Sequence, residues 1–333
     1  MSSSSEPLVH TTSRGLYCPP GDFYIDPWQP VQTAVITHGH GDHLRQGSAR
    51  YILARPGCSI ARTRLSGDRD ITAVDYRKTF TLGSTKVSLH PAGHILGSSQ
   101  VRIEHEGRVW VVSGDYKRDP DPTCEPFEPV ECDTFISEAT FALPVYRWPS
   151  TPQVVEEIVR WWGTNRERGI ASVLFCYALG KAQRVLAEMR AFTNETVHLH
   201  GAVRTLVDVY REAGVEMVPT ESATVERKAD YRGALIIAPP SAVGSSWMKR
   251  FGEHSSGFCS GWMRVRGDRR RRGYDRGFVI SDHADWPSLV RTCSETHARR
   301  ILLTHGYSDA LARYLNEQGV EAGALETAFG AED

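Results

Sequence analysis

The sequence predicts a mixed α/β fold, in which a strand-rich frame holds an inserted segment built around a parallel sheet. Short strand patterns separated by tight turns fill roughly the first 140 residues. After Pro149, strand and helix patterns alternate, which favours a parallel sheet. The charge changes in the same region: segment 145–276 has 21 Lys and Arg against 14 Asp and Glu, a net of +7, whereas the remainder has 18 against 26, a net of −8.

These patterns divide the chain into a frame, 1–144 and 277–333, and an insertion, 145–276. Acidic residues bind metal ions and basic residues bind phosphates. The difference in net charge therefore suggests that the frame binds metal and the insertion binds phosphate. An alternating run on each side of His105-Glu106-Gly107 predicts a hairpin.

Short apolar or alternating runs predict the strands, and apolar periodicity after them predicts the helices. The predicted strands are Ala34–Ile36, Thr85–His90, Gln100–Glu104, Arg108–Val112, Thr134–Ser137, Ala171–Phe175, Thr196–Leu199, Ala234–Ala238, Gly277–Ile280 and Arg300–Leu303. The predicted helices are Gln153–Trp162, capped by Ser150 or Thr151, then Gly180–Phe192, Val203–Ala213 and Trp286–Glu295.

The composition predicts a cytoplasmic protein. Seven scattered cysteines form no C-x-x-C pair, which argues against a disulfide framework or a zinc ribbon and fits a reducing compartment. The start, MSSSSEP, lacks the basic and apolar regions of a signal peptide. No apolar run approaches the roughly 18 residues of a membrane span. The net charge of −1 gives no overall argument for a polyanionic partner.

The stretch Ile36–Leu44, I-T-H-G-H-G-D-H-L, places three histidines and an aspartate within six residues. Residues two apart in an extended turn point the same way, so His38 and His40 can reach one metal ion. Asp42 and His43 continue round the turn toward a second ion. The glycines between them are expected to allow backbone conformations that larger side chains resist. Neutral imidazole and carboxylate groups suit zinc and tolerate manganese or iron.

Three further candidate ligands, His94, Asp115 and His305, each follow a predicted strand. In a two-metal site one ligand must bridge, and the two oxygens of Asp115 allow this. Two ions roughly 3.5–4 Å apart lower the pKa of a bound water and hold a phosphodiester or carbonyl oxygen. A lone histidine such as His90 or His198 is better explained as a surface or core residue, but the combined pattern favours a metal site.

The motif H-x-H-x-D-H, the later His94 and Asp115, and the strand-rich frame resemble the metallo-β-lactamase superfamily. This resemblance implies an αββα sandwich with the metal site at the edge of its two sheets. Glu138 in F-I-S-E-A-T, His283 in I-S-D-H-A-D-W, His305 in L-T-H-G and the stretch F-C-Y-A-L-G-K-A-Q resemble the additional motifs of the β-CASP nucleases. In that branch a basic domain with a parallel sheet is inserted into the sandwich, in agreement with the charge division.

Three longer stretches narrow the resemblance to the bacterial DNA ligase-associated exonucleases, which are similar to Artemis-like DNA repair nucleases. These stretches are Gly15–Trp28, Val112–Pro129 and Ser260–Gly267. The similarity extends along nearly the whole chain, and every catalytic position of the motifs is retained.

The resemblance implies a role for each candidate ligand. The ligands of the first divalent ion, Zn²⁺ or Mn²⁺, would be His38, His40, His94 and Asp115. The ligands of the second would be Asp42, His43, Asp115 and His305, with Asp115 bridging. A hydroxide between the ions would attack the scissile phosphate, and Asp42 would also accept its proton.

Three further residues would act around the metals. His283 would contact the scissile phosphate as a charge stabiliser or general acid, and Glu138 would raise its pKa and fix its ring through a hydrogen bond. Asp26 either orients the metal-site histidines from behind or is a turn aspartate before Pro27.

Four residues of the insertion are candidates for binding phosphates. Arg270 lies in an arginine-rich run, Arg264–Arg276, which either tracks a nucleic-acid backbone or is a solvated loop. Ser245 and Ser246 lie in a small-residue stretch that either cradles a terminal phosphate or is an ordinary turn. Lys181 opens a predicted helix, where the helix dipole favours anions and where capping explains it nearly as well.

Three functions remain open from the sequence. The first is a two-metal DNA exonuclease that cuts from a 5′ end in bacterial DNA repair, with a functional association with an ATP-dependent DNA ligase and no membrane partner. Only the family resemblance indicates DNA, the exonuclease activity and the ligase. The second is an RNA-processing nuclease similar to RNase J. The third is a non-catalytic nucleic-acid-binding scaffold with a structural metal, which would not need His283 paired with Glu138.

Overall fold

The computed structural model of the chain describes residues 6–223, 230–265 and 273–327. Internal contacts divide the chain into two compact units. The first unit comprises Met1–Pro120, Cys124–Pro144 and His283–Asp333, and the second comprises Asp121–Thr123 and Val145–Asp282.

The first unit contains two sheets, and its strands and helices are numbered in chain order. The first sheet has the order β1 (His10–Thr12), β2 (Gly15–Cys18), β3 (Phe23–Ile25), β4 (Thr33–Val35), β5 (Arg50–Ala54) and β6 (Asp70–Val74). The second has the order β19 (Glu321–Ala324), β18 (Arg300–Thr304), β11 (Thr134–Glu138), β10 (Arg108–Val112), β9 (Ser99–His105), β8 (Thr85–Pro91) and β7 (Phe80–Leu82). The helices are α1 (Cys58–Arg64), α5 (Trp286–Glu295) and α6 (Ser308–Glu317).

The apolar side chains of this unit define four layers. Val35 and Ile52 from the first sheet share one buried core with Val101 and Ile136 from the second, so the two sheets pack face to face. The outer face of the first sheet packs against α1. The outer face of the second sheet packs against α5 and α6. The order is therefore helix, sheet, sheet, helix.

The second unit contains a third sheet in which every pairing is parallel. Its order is β14 (Thr220–Ser222), β13 (Val197–Leu199), β15 (Leu235–Ala238), β12 (Ala171–Phe175), β16 (His254–Cys259) and β17 (Arg276–Phe278). The helices between these strands include α2 (Thr151–Glu167), α3 (Lys181–Glu188) and α4 (Gly201–Glu212). The mixed α/β class predicted from the sequence is therefore confirmed.

Several local predictions can be compared with the structure. The hairpin is present, because β9 and β10 pair antiparallel around Glu106 and Gly107, both with positive φ. Ser150 occupies the N-cap position of α2, but its side chain makes no capping hydrogen bond. The stretch predicted to return to the frame as a strand instead contributes β17 to the third sheet. No helix among the described residues is long and apolar enough to cross a membrane.

Candidate metal centre

The candidate ligands meet because their strands end at one edge of the first unit. In the second sheet β10, β11 and β18 are parallel neighbours, and two antiparallel pairings make β8 run the same way as β10. Their carboxyl ends therefore lie along the same edge. The residues that end or follow these strands are His94 after β8, Asp115 after β10, Glu138 at the end of β11 and His305 after β18. The loop that carries His38–His43 follows β4 of the facing sheet.

The first set of ligand atoms converges on one point. His40 Nδ1 lies 3.1 Å from His38 Nε2 and 3.0 Å from His94 Nε2. Asp115 Oδ2 lies 3.4 Å from His38 Nε2 and 3.9 Å from His94 Nε2. Two ligands of one zinc ion in tetrahedral geometry stand about 3.4 Å apart, so this set fits a divalent ion.

The second set shares Asp115 with the first. His43 Nε2 lies 3.4 Å from the same Asp115 Oδ2 and 3.6 Å from Asp42 Oδ2. Ligand atoms of Asp42, His43 and His305 lie within 4.8 Å of one another, and the rings of the two histidines are stacked at 5.8 Å. Asp115 is almost fully buried, and its Oδ1 has no hydrogen-bond partner among the described residues. A buried carboxylate oxygen of this kind needs a cation or a donor, so the two sets fit a pair of divalent ions.

Hydrogen bonds behind the histidines fix their ring orientation. Asp26 is buried and accepts from the Nδ1 of His43 at 2.7 Å and from the backbone N–H of Thr37 at 2.7 Å. The hydrogen bond between His43 and Asp26 places the proton of His43 on Nδ1 and directs Nε2 toward Asp115. Asp26 also has a positive φ of 44°, a left-handed conformation that aspartate adopts more readily than most other L-residues.

Two threonines behind the metal centre were not identified from the sequence. Thr37 Oγ1 lies 3.0 Å from His38 Nδ1, and Thr304 Oγ1 lies 2.8 Å from His305 Nδ1. Both threonines directly precede a candidate ligand in the same tripeptide, T-H-G. That repeated tripeptide is the signal by which they could have been found.

Glu138 and His283 form a second buried arrangement beside the ligands. His283 Nδ1 donates to Glu138 Oε2 at 2.8 Å, and both side chains are almost fully buried. The carboxylate also accepts from Tyr116 N at 2.7 Å and from Thr140 Oγ1 at 2.6 Å. The ring of His283 lies 4.8 Å from that of His94. Atoms of Glu138, His283 and Asp115 are also close enough to hold an ion, so their roles stay a prediction.

The metal-free centre holds protons in unusual places. Burial lowers the pKa of His43, but the carboxylates of Asp115, Asp26 and Asp42 outweigh it and raise that pKa to about 10. Burial raises the pKa of Asp115 to about 7, opposed by His43. Burial, together with His43, lowers the pKa of His305 to about 4. His43 and Asp115 therefore compete for protons where a metal ion would bind.

The expected role of the glycines in the His38–His43 loop was wrong. Neither Gly39 nor Gly41 has a positive φ. The glycine whose conformation the centre requires is Gly114, which precedes Asp115, has a φ of 57° and would bring a Cβ to 2.6 Å from the side chain of Thr37. A larger residue at Gly114 would displace Thr37 and the ligand beside it.

The candidate phosphate-binding residues lie in different surroundings. Lys181 is buried, with Nζ 3.2 Å from Asp282 Oδ2 and 4.5 Å from the centroid of the Tyr177 ring, so its ammonium already neutralises a buried carboxylate. Ser245 Oγ donates to the carbonyl of Ala242 at 2.7 Å, and Ser246 is exposed. Arg270 lies outside the described residues. A phosphate-binding role for these residues stays a prediction.

Comparisons with known proteins indicate a group of relatives. No protein-family model matches the chain. A protein named "Probable DNA ligase" from Opitutus terrae is 32% identical over 316 residues, which are 94% of this chain and 30% of that protein. A protein named "Endoribonuclease YSH1" from Gibberella zeae is 31% identical over 121 residues, which are 35% of this chain and 14% of that protein. This chain thus spans less than a third of either relative.

A solved structure is similar in fold. The crystal structure of a protein of unknown function from Enterococcus faecalis V583 matches with a TM-score of 0.62, 13% sequence identity and coverage of 90% of this chain and 80% of that one. That likeness concerns the fold alone. The sequence relatives support kinship with β-CASP-like nucleases as a group, without indicating a particular enzyme.

Replacement of Asp115 by Asn tests whether one carboxylate serves both metal sets. We expect Asp115→Asn to lose more bound metal than His94→Ala, because the neutral amide weakens both sets whereas His94 belongs to one. Metal content after dialysis, measured by mass spectrometry, checks this, with exposed Asp68→Asn as the control. Equal losses in the two ligand variants would argue against sharing.

The metal-free protein should become less stable as the pH rises from about 6.5 toward 10. The pKa of His43 is raised from 6.5 to about 10 in the folded state, so the folded chain binds more protons than the unfolded chain over this range and loses that advantage as they dissociate. The zinc-loaded protein should show increasing metal stabilisation instead, because the ion replaces the proton on His43. Melting temperatures measured across this pH range in EDTA and in Zn²⁺ check both trends. A melting temperature in EDTA that does not change with pH would contradict the predicted loss of stability.

Proposed function

We propose that this chain is a two-metal phosphodiesterase, that is, a metal-dependent nuclease, that its first unit is a metallo-β-lactamase sandwich, and that its second unit is a β-CASP insertion. The observation that carries the proposal is the shared position of Asp115. Its Oδ2 lies 3.4 Å from the Nε2 of His38 and 3.4 Å from that of His43, so one carboxylate joins two ligand sets. The four layers and the relatives named as nucleases support the same assignment.

The ligands that would hold the ions are those of the two sets. When bound, two divalent ions, Zn²⁺ or Mn²⁺, would supply charge neutralisation for the phosphodiester and a water of lowered pKa. Asp26 holds His43 in the tautomer that a ligand requires. The partly exposed carboxylate of Asp42 would accept a proton from the attacking water, because it lies at the accessible side of the ligands.

His283 would act on the leaving side of the reaction. Its Nδ1 is engaged by Glu138, which two further donors, Tyr116 N and Thr140 Oγ1, hold in place, so a proton would be exchanged through Nε2. A carboxylate paired with a buried imidazole favours the protonated form, which is the form needed to stabilise phosphate charge or to protonate the leaving oxygen. A binding scaffold with a structural metal would have no use for this pair.

The substrate we propose is DNA, degraded from a 5′ end as part of bacterial DNA repair alongside an ATP-dependent ligase. Support comes from the motifs that resemble ligase-associated exonucleases and from the relative named "Probable DNA ligase", which matches 94% of this chain. The alternative is an RNA-processing nuclease. It is favoured by the relatives named "Endoribonuclease YSH1", the first of which matches 35% of this chain.

One assay tests the activity and separates the two substrates. The purified protein with Mn²⁺ or Zn²⁺ should shorten DNA from the 5′ end, read as product lengths from 5′- and 3′-labelled DNA and RNA strands with and without a 5′ phosphate. Asp42→Ala and His43→Ala should lower the rate by more than the roughly 10- to 100-fold that loss of an outer partner causes.

The control for these variants is Asp68→Ala, which removes an exposed carboxylate from the same unit. Full activity in Asp42→Ala or His43→Ala would overturn the site. Preferential degradation of RNA, or cleavage of circular single strands, would replace the DNA exonuclease with the RNA-processing alternative.

His283→Ala should lower kcat roughly 10²- to 10⁴-fold while the metal content stays near that of the wild type, because the ring acts on the phosphate and not on the ions. A general acid matters less for a good leaving group, so the loss should shrink on a nitrophenyl phosphodiester. Turnover and metal analysis on the same preparation check this. Loss of metal in His283→Ala would show that the histidine is a ligand.

A further inference from the structure

We propose, resting on the proposed function, that Arg64 binds the substrate phosphate next to the scissile one, on the Asp42 side of the metal centre. Arg64 is the last residue of α1, and its side chain is exposed. Its Nη2 lies 3.1 Å from the point where a Cβ on Gly41 would stand. Gly41 separates His40 from Asp42, so the guanidinium rests on the backbone of the candidate metal loop.

This guanidinium differs from other arginines of the first unit. Arg55 pairs with Asp75, and Arg77 pairs with Glu128. Arg64 makes neither a hydrogen bond nor an ion pair with any residue in the described ranges, and the group that acts on it is the carboxylate of Asp42. Desolvation lowers the pKa of Arg64, as expected for a cation held against the loop, and a guanidinium stays charged in this position.

The position suits a phosphodiester oxygen. Planar guanidinium groups bind phosphate through two parallel hydrogen bonds, and they lose less solvation than an ammonium when they do so. Arg45 adds a second exposed cation on the same loop, with a long hydrogen bond of 3.4 Å from Nε to the carbonyl of Asp42. Asp42 is thus accompanied by two guanidinium groups, which would attract a polyanion to this side of the centre.

Because Arg64 is exposed, the phosphate that it binds would lie away from the metal ions. The scissile phosphate has to lie against the metal ligands, most of which are buried. Arg64 is exposed and lies beside Asp42, which is partly exposed like His40 and His305, so the phosphate that it reaches is the neighbouring one. A small substrate with one phosphodiester group, bound at the metal ions, would not reach Arg64.

A simpler explanation is that a basic residue stabilises the last turn of a helix. Arg62 has the same property, since it also lies in the last turn of α1 and is exposed. Among the residues that the structure describes, no contact places Arg62 near the metal loop. It is therefore the matched control, because its removal costs the same helix-end interaction without removing the group that rests on Gly41.

The space above Gly41 gives a second, independent variant. A methyl group there would stand 3.1 Å from Nη2, closer than ordinary contact, so Gly41→Ala should shift the guanidinium by a few tenths of an ångström while Arg64 itself is retained. The absence of a side chain at Gly41 thus leaves room for the guanidinium of Arg64. The sequence had suggested instead that this glycine allows an unusual backbone conformation.

The experiment compares a single-stranded DNA oligonucleotide with bis(p-nitrophenyl) phosphate, which has one phosphodiester and no neighbour. Arg64→Ala should raise KM for the oligonucleotide about tenfold relative to any change on the small substrate, in line with loss of a charged hydrogen bond. The slope of log affinity against log salt, measured by fluorescence anisotropy before metal is added, should fall by about 0.7. Arg64→Lys should recover part of the loss, and Gly41→Ala should raise KM for the oligonucleotide by less than Arg64→Ala does, at wild-type metal content.

Two results would overturn the proposal while the nuclease function stands. One is an oligonucleotide KM in Arg64→Ala equal to that of Arg62→Ala. The other is an equal loss on both substrates, which would assign the guanidinium to the scissile phosphate itself. Failure of the proposed function would be recognised separately, because the wild type would then cleave neither substrate with any divalent metal. In that case the salt dependence of binding, measured by anisotropy, would still report whether Arg64 contacts a phosphate.

Discussion

The shared carboxylate of Asp115 is the interaction on which the rest of the centre depends. It is buried between two sets of ligands, each of which combines residues from the loop after β4 with a histidine that follows a strand of the second sheet, and a buried carboxylate there needs a cation beside it. Its position follows from the parallel pairing of β10 with β11, which brings the ends of these strands to one edge. The two-sheet core therefore determines where the ligands are, and the metal ions would repay the cost of burying them.

The same burial explains the outer hydrogen bonds. Asp26, Thr37 and Thr304 each hold the Nδ1 side of an imidazole, which leaves the Nε2 side to converge on Asp115 or its neighbours. Glu138 does this for His283 with the support of a backbone N–H and a hydroxyl group. These hydrogen bonds hold the rings in the orientation that metal ligation would require.

Much of this arrangement could be predicted from the sequence, and the remainder depends on contacts between distant residues. The α/β class and the H-x-H-x-D-H loop could be predicted because they are local patterns. The strand order then brings the candidate ligands to one edge, as expected. The short strands β1 to β3 and the helix α1 were missed, because three to seven residues carry too little periodicity. Lys181 was a candidate for an anion site or for helix capping, and its ion pair with the distant Asp282 is a contact that no local pattern reports.

The position of the insertion has a consequence for synthesis on the ribosome. His38, His40, His94 and Asp115 all precede the second unit, whereas His283 and His305 follow it. A growing chain therefore holds one set of ligands through the whole synthesis of the third sheet, while β18 is still absent from its place beside β11. A prematurely terminated chain would keep one set of candidate ligands without His283 and His305, so the connectivity itself separates assembly of the first set from completion of the centre.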